Sequence, residues 1–182
     1  MVYLFLADGF EECEALAPLD ILRRGGVDIK TVGIGKDYIC GTHGVTIKAD
    51  LNENDVSLEG LEAVILPGGM PGTTNLENNE TVKKAVEYAN RTNKLICAIC
   101  AAPKILGNMG LLKDKKATCF PGFEKNLISA NISNLSVVKD GNIITAKGAG
   151  VAFDFGFEIL SALKNSKTAD TLKLQMQFKT EV

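Results

Sequence analysis

Short runs of consecutive apolar residues alternate along the chain with segments in which apolar residues recur every three or four positions. Continuous runs such as VYLFL and AVIL are typical of strands buried on both faces of a sheet. Apolar residues at helical spacing, as in EALAPLDILRR, indicate amphipathic helices. The pattern predicts strands at Val2–Leu6, Asp28–Gly33, Ala63–Leu66 and Leu95–Ile99, an extended ribbon at Cys40–Lys48, a hairpin at Val137–Thr145, and helices at Glu14–Arg24, at Thr81–Asn93, from Ala102 onwards, at Val151–Leu163 and at Asp170–Phe178.

This alternation of strands and helices favours an α/β sandwich, in which helices cover both faces of a mostly parallel sheet. The chain shows no internal repeat, low-complexity tract or linker, so we expect a single domain over residues 1–182. Such folds bind ligands outside the carboxyl ends of their strands. We therefore expect catalytic or binding residues among those that follow the predicted strands.

Composition narrows the classes of function. The chain has 182 residues, 46% of them hydrophobic and 23% charged, with a net charge of -2. The chain has no basic patch of the kind that would predict specific nucleic-acid binding. No apolar run approaches the roughly 18 residues of a membrane span, and the amino terminus lacks the positive region of a secretory signal. We therefore expect a cytoplasmic protein that does not contact a membrane.

The five cysteines do not predict a disulfide framework, because their number is odd and no export signal is evident. Cys97 and Cys100 form a CxxC spacing, but Cys97 lies inside an apolar run that reads as a strand. Extended backbone would place the two Cα atoms roughly 10 Å apart, beyond the reach of a disulfide. A zinc site would need further ligands, and the chain has one histidine, His43. Neither a redox pair nor a metal site is expected.

Cys100 stands where a buried strand meets a predicted helix, an arrangement similar to a nucleophile elbow. The neighbouring alanines leave room for a sharp turn, and Pro103 suits the first turn of a helix. A helix amino terminus pointing at the sulfur would favour the thiolate and lower the thiol pKa. The alternative is an inert cysteine buried as a small apolar residue. The glycines at the neighbouring strand ends favour the nucleophile.

Two other strand ends carry candidate partners for Cys100. Glu11 and Glu12 are explained as acids at a helix amino terminus, whereas Glu14 begins the apolar helix face. A carboxyl there would be partly desolvated, so its pKa would rise and it would share a proton with the sulfur. Gly68 and Gly69 form either a plain turn or a backbone amide donor for an oxyanion. For the later segment GAG at 148–150 we favour a tight strand–helix connection.

Four stretches in order, LADGFEECEALAPLDILRRGG, VILPGG, AICAAP and KGAGVAFDFGFEIL, resemble the DJ-1/ThiJ/PfpI superfamily on its DJ-1 and ThiJ side, over about residues 2 to 178. The resemblance implies a flavodoxin-like α/β sandwich, usually a homodimer. It also implies that Cys100 is the nucleophile, that Glu14 hydrogen bonds to it, and that the amides of Gly69 and Ala101 form the oxyanion hole. Superfamily members are described as cofactor-free glyoxalases and deglycases acting on methylglyoxal and its adducts, as oxidative-stress sensors and as chaperones.

The sequence departs from its relatives at several positions. Ala101 stands where the protease-like branch has a histidine directly after the cysteine, which argues against a peptidase. Phe120 stands where DJ-1-like members often carry a histidine before a proline. His43 lies in a ribbon where relatives tend to carry arginine, and we interpret it as solvated or structural rather than as lining the pocket from a dimer partner. Gly68, His43 and Phe120 remain possible pocket residues.

The leading hypothesis is a cysteine-dependent glyoxalase or deglycase that needs no metal or organic cofactor. Cys100 would attack the aldehyde carbon of a 2-oxoaldehyde or of its adduct, and Glu14, protonated at rest, would move a proton between the two carbons. The alternative is a sensor or chaperone in which Cys100 is oxidised to a sulfinate without turnover. A cysteine hydrolase would require His43 within hydrogen-bond reach of the Cys100 sulfur.

Overall fold

A computed structural model describes residues 1–178. Its central sheet has seven strands in the order β10-β11-β7-β6-β1-β2-β5, and every neighbouring pair is parallel except β10 with β11. These strands are β1 (Val2–Leu6), β2 (Ile29–Gly33), β5 (Leu51–Asn52), β6 (Ala63–Leu66), β7 (Leu95–Ile99), β10 (Val137–Asp140) and β11 (Ile143–Ala146). Two small ribbons pair β3 (Tyr38–Cys40) with β4 (Thr46–Lys48), and β8 (Lys116–Ala117) with β9 (Asn131–Ile132).

Helices cover both faces of this sheet, and alternate residues of the central strands supply a core to each side. In β1, Leu4 and Leu6 belong to one apolar cluster whereas Tyr3 and Phe5 belong to the other, because successive side chains of a strand point to opposite faces. The first cluster is covered by α1 (Glu12–Arg24), α5 (Ala152–Leu163) and α6 (Ser166–Gln175), and the second by α2 (Gly72–Asn78), α3 (Glu80–Arg91) and α4 (Pro103–Asn108). The predicted α/β sandwich with a mostly parallel sheet is confirmed.

Several predicted boundaries shift, and polar side chains explain two of the shifts. Helix α1 begins at Glu12 rather than Glu14, because the Glu11 carboxylate accepts the Glu14 backbone N–H at 2.7 Å and caps the helix. Helix α6 spans Ser166–Gln175 instead of Asp170–Phe178, because Asn165 caps it through the Thr168 N–H. The predicted hairpin at 137–145 and the ribbon at 40–48 are present, whereas the sequence pattern missed α2.

The β3–β4 ribbon fastens the loop that leads from β1 into α1. Gly9 N–H donates to the Cys40 carbonyl and Thr42 N–H donates to the Phe10 carbonyl, each at 2.8 Å. These bonds hold the start of α1, and with it the side chain of Glu14, against the carboxyl edge of the sheet. Within residues 1–178, no helix combines the length and the apolar character that crossing a membrane requires.

Candidate active site

The sheet order brings three strand ends together at one edge. Strands β1, β6 and β7 are direct neighbours and run parallel, so the segments that follow them meet. These segments carry Glu14, Gly68 with Gly69, and Cys100, as the sequence predicted for this edge. The fourth neighbour, β11, adds the segment that starts at Gly148.

Cys100 occupies a sharp turn between β7 and α4. Its φ of 66° lies in the left-handed region, which costs a residue with a side chain roughly 1–2 kcal/mol. Hydrogen bonds hold the turn: Cys100 N–H donates to the Ala146 carbonyl at 2.9 Å, and Phe120 N–H donates to the Cys100 carbonyl at 2.8 Å. The backbone therefore has the strained strand-to-helix geometry of a nucleophile elbow.

The Glu14 carboxyl is buried directly beside this thiol. Its side chain is 1% exposed, and its Oε2 accepts the Gly68 backbone N–H at 2.9 Å. It also hydrogen bonds to the Cys100 thiol and to the Ala149 backbone amide. Burial, which disfavours the charged form, raises the pKa of Glu14 to about 7.

The thiol pKa shifts in the direction opposite to the one that the sequence predicted. Burial and then the negative charge of Glu14 raise the pKa of Cys100 to about 12, although amides of Gly69 and Ala101 that bond to the sulfur act to lower it. The expected helix-dipole effect is weak here because α4 has only six residues and begins three positions after Cys100.

Cys100 and Glu14 therefore titrate as a pair. Below about pH 7 both groups hold a proton, and between about pH 7 and pH 12 they share one proton and carry one negative charge. Backbone amides contact both partners, Gly69 and Ala101 at the sulfur and Gly68 and Ala149 at the carboxyl. Between these pH values the shared proton lies mainly on the sulfur, so the Glu14 carboxylate is the group placed to take it up when the sulfur attacks a substrate.

Gly68 is packed too closely for any side chain. A Cβ at this position would lie 2.5 Å from Glu14 Oε2 and 2.6 Å from the Cys100 Cβ. We expect Gly68→Ala to lower the free energy of unfolding by about 1–3 kcal/mol and to push the two groups apart. Gly150→Ala is the matched control, because a Cβ there meets no atom within 4 Å, and its effect should stay within about 0.5 kcal/mol. Urea denaturation measures both, and equal stabilities would contradict this packing.

The segment 148–150 has a role that the sequence interpretation missed. We favoured a plain connection, but the Ala149 amide bonds to the Glu14 carboxyl. The available signal was the position of the segment after β11, whose carboxyl end lies next to that of β7. Phe120 also lies at the site, because a Cβ on Gly148 would be 3.2 Å from its ring.

His43 does not join this group. Its side chain is exposed, and its Nδ1 lies 2.8 Å from Oε2 of the buried Glu12, whose carboxyl raises the pKa of His43. Glu12 Oε1 accepts the His43 backbone N–H as well. Of the possible pocket residues, Gly68 and Phe120 border the cysteine, whereas His43 fixes the ribbon to α1. The condition for a cysteine hydrolase is not met, because within residues 1–178 the His43 ring bonds to Glu12 and makes no hydrogen bond to the Cys100 sulfur.

Two further groupings of ligand-type residues have ordinary explanations. Glu11, Glu12 and His43 bring three ligand-type atoms within 4.8 Å of one another, and the hydrogen bonds of Glu12 to His43 account for this closeness. Cys97 is fully buried inside β7, and all five cysteines are free. The CxxC spacing therefore does not form a disulfide.

The raised pKa of Glu14 makes a prediction about stability. Between its ordinary value of 4.5 and about 7, the folded protein keeps a proton on Glu14 that the unfolded chain releases, so stability falls as pH rises through this window. Relative to wild type, Glu14→Gln should gain about 2–3 kcal/mol of unfolding free energy between about pH 5 and pH 8. Denaturant titration at each pH measures this gain. Glu87→Gln, on the exposed side of α3, is the control, and a constant difference for Glu14→Gln would refute the raised pKa.

The protein is a parallel α/β sandwich with a cysteine on a strained elbow at the carboxyl edge of its sheet. The thiol of this cysteine hydrogen bonds to a buried carboxyl. Together these features define a class of proteins suited to thiol chemistry. The model of the DJ-1/PfpI family matches residues 1–162, and the chain belongs to this family. The expected resemblance is therefore confirmed.

Proteins with similar sequences include relatives named for DJ-1 and for PfpI. The chain is 32% identical over 181 residues to Parkinson disease protein 7 homolog of Danio rerio, covering 97% of this chain and 96% of that protein. It is 32% identical over 170 residues to Deglycase PfpI of Pyrococcus furiosus, covering 90% and 100%. It spans only 39% and 44% of two relatives from Arabidopsis thaliana, Protein DJ-1 homolog B and homolog A.

Solved structures agree with the fold over nearly the whole chain. An oxidized DJ-1 of Toxoplasma gondii superposes with a TM-score of 0.94 at 28% identity and covers 98% of each chain. A DJ-1 superfamily protein of Salmonella typhimurium superposes with a TM-score of 0.91 at 33% identity and covers 97% of each chain. The flavodoxin-like architecture is thus shared with proteins of this family.

Proposed function

We propose that this protein is a cofactor-independent glyoxalase or deglycase that acts on 2-oxoaldehydes such as methylglyoxal, or on their adducts, with Cys100 as nucleophile and Glu14 as general acid and base. The observation that carries the proposal is the hydrogen bond between the Cys100 thiol and a Glu14 carboxyl that is 1% exposed and has a pKa of about 7. A general base is most effective when its pKa lies near the operating pH. The deglycase names of two relatives from Pyrococcus species support the same class of chemistry.

The first step joins the sulfur to the aldehyde carbon. Glu14 accepts the thiol proton as the sulfur attacks, and the carbonyl π-electrons move onto the aldehyde oxygen. The amides of Gly69 and Ala101, which already point at the sulfur, are in reach of an oxygen on the carbon that bonds to it. Protonation of that oxygen by Glu14 gives a hemithioacetal.

The second step moves hydrogen between neighbouring carbons. Glu14 removes the proton from the former aldehyde carbon to leave an enediolate and returns it to the neighbouring carbon. The hydroxyl proton on the former aldehyde carbon moves to the neighbouring oxygen, which gives a 2-hydroxyacyl thioester. Water then hydrolyses the thioester and restores the thiol. One methylglyoxal and one water give one lactic acid, so the internal oxidation and reduction balance without an external electron acceptor. Lactate formation by the purified protein is the direct test.

A redox sensor or chaperone is the second candidate, and one feature of the site favours it. The amides of Gly69 and Ala101 at the sulfur, together with a protonated Glu14, are suited to bind the oxygens of a cysteine sulfinate. Each oxidation uses one peroxide and releases one water. Mass spectrometry after mild peroxide, run beside the methylglyoxal assay, separates the candidates: oxidation confined to Cys100 without turnover favours the sensor. As the family resemblance implies, either role is proposed for a cytoplasmic homodimer.

A further inference from the structure

An apolar pocket of about 280 Å³ opens beside the pair formed by Cys100 and Glu14. Its walls are Phe120, Pro121, Lys147, Val151 and the chain at 148–150. A Cβ on Gly148 would lie 3.2 Å from Cδ2 of the Phe120 ring and 3.6 Å from Glu14 Oε1. Gly148 therefore lies between the Phe120 ring and the Glu14 carboxyl, so the pocket is one residue away from the reacting groups.

The backbone of Phe120 is fixed to the elbow itself. Its N–H donates to the Cys100 carbonyl at 2.8 Å, so the position of the ring relative to the sulfur does not depend on a distant element. The side chain is nevertheless 48% exposed. An aromatic ring that is anchored by its own backbone and open on one face is placed to contact whatever occupies the pocket.

The chemistry of the walls selects for an apolar occupant. The Lys147 ammonium donates to the Asn134 carbonyl at 2.7 Å, so the charge of this wall residue already has a hydrogen-bond partner. The other wall side chains are apolar or consist of a glycine hydrogen. This pocket is open to solvent, and its volume of about 280 Å³ exceeds the roughly 150 Å³ of an enclosed apolar cavity that holds benzene, so a phenyl ring can lie against its wall.

We propose that Phe120 is a specificity-determining residue and that the preferred substrates are 2-oxoaldehydes that carry a flat apolar group on the keto carbon. The proposal rests on the proposed function and narrows it. Phenylglyoxal is the simplest aromatic member of the class. Its reaction follows the same steps as that of methylglyoxal, so that one phenylglyoxal and one water give one mandelic acid.

The first test compares the two aldehydes. Phe120→Ala should lower the ratio of kcat/KM for phenylglyoxal to that for methylglyoxal about tenfold, mainly through KM, because an apolar wall contributes binding in both ground and transition states. Phe120→Tyr keeps the ring and should preserve the ratio within about twofold. Tyr38→Ala removes an exposed aromatic, 59% exposed against 48% for Phe120, from the β3–β4 ribbon and is the matched control. An unchanged ratio in Phe120→Ala overturns the proposal.

The second test needs no turnover and keeps the two proposals distinguishable. Calorimetry on Cys100→Ser should show that mandelate binds more tightly than lactate, and adding Phe120→Ala should remove that preference. Equal affinities in Cys100→Ser overturn the assignment of the pocket. If wild type converts neither aldehyde while the preference for mandelate depends on Phe120, the proposed reaction fails and the ligand class of the pocket stands.

Discussion

Cys100→Ser is expected to abolish lactate formation from methylglyoxal, lowering kcat/KM by about 10³-fold or more. A serine hydroxyl in the same elbow is a far weaker nucleophile than a thiol, and Glu14 with a pKa of about 7 is too weak a base to ionise it. The measurement is the initial rate of lactate formation at saturating and at low methylglyoxal. Because serine is nearly isosteric with cysteine, the fold should persist, and thermal unfolding checks that it does.

The control for this variant is Cys13→Ser. Cys13 is exposed on α1, and the negative charges of its neighbouring glutamates, Glu11 first, raise its pKa, so it holds its proton at neutral pH. Its replacement should leave the rate within about twofold of wild type. Lactate formation by Cys100→Ser at a rate close to that of wild type would remove Cys100 from the mechanism and leave only the fold assignment.

Glu14→Gln is expected to lower kcat/KM for methylglyoxal by about 10²–10⁴-fold, since an amide cannot exchange the proton that must move between the two substrate carbons. The pH profile should change as well. In wild type the rate should rise as pH increases through about 7, where the pair loses its first proton, and then level off. In the variant that rise should move to higher pH, because only the buried thiol remains to ionise.

Glu87→Gln again provides a matched loss of one carboxylate, far from the site on α3. It should show the wild-type rate and the wild-type rise near pH 7. The decisive comparison is the pH profile of the rate, because a smaller folded fraction would lower the rate without moving its rise to higher pH. A Glu14→Gln protein whose rate still rises near pH 7 would show that another group titrates there.

The apolar pattern was sufficient for the architecture. Strands such as Val2–Leu6 and Ala63–Leu66 are continuous apolar runs because both their faces are covered, and this requirement already excludes a half-solvated antiparallel sheet. The apolar pattern predicted the wrong helix start where a single polar capping side chain sets it, as Glu11 does for α1 and Asn165 does for α6. Helix α2 was missed because its seven residues, GTTNLEN, lack an apolar repeat.

For the site, the sequence by itself determined that three strand ends meet, although it did not show that Ala149 joins them. The carboxyl ends of adjacent parallel strands must share one edge, so the sequence alone predicts that Glu14, Gly69 and Cys100 are neighbours. Only the tertiary structure decided their protonation. The pKa of Cys100 depends on how deeply the sulfur is buried and on the charge of Glu14 beside it. The pKa of Glu14 depends first on its burial and then on hydrogen bonds, among them one from the amide of Gly68, 54 residues away along the chain. Burial and long-range contacts of this kind are not encoded in any local stretch of residues, which is why the direction of the thiol shift was predicted wrongly.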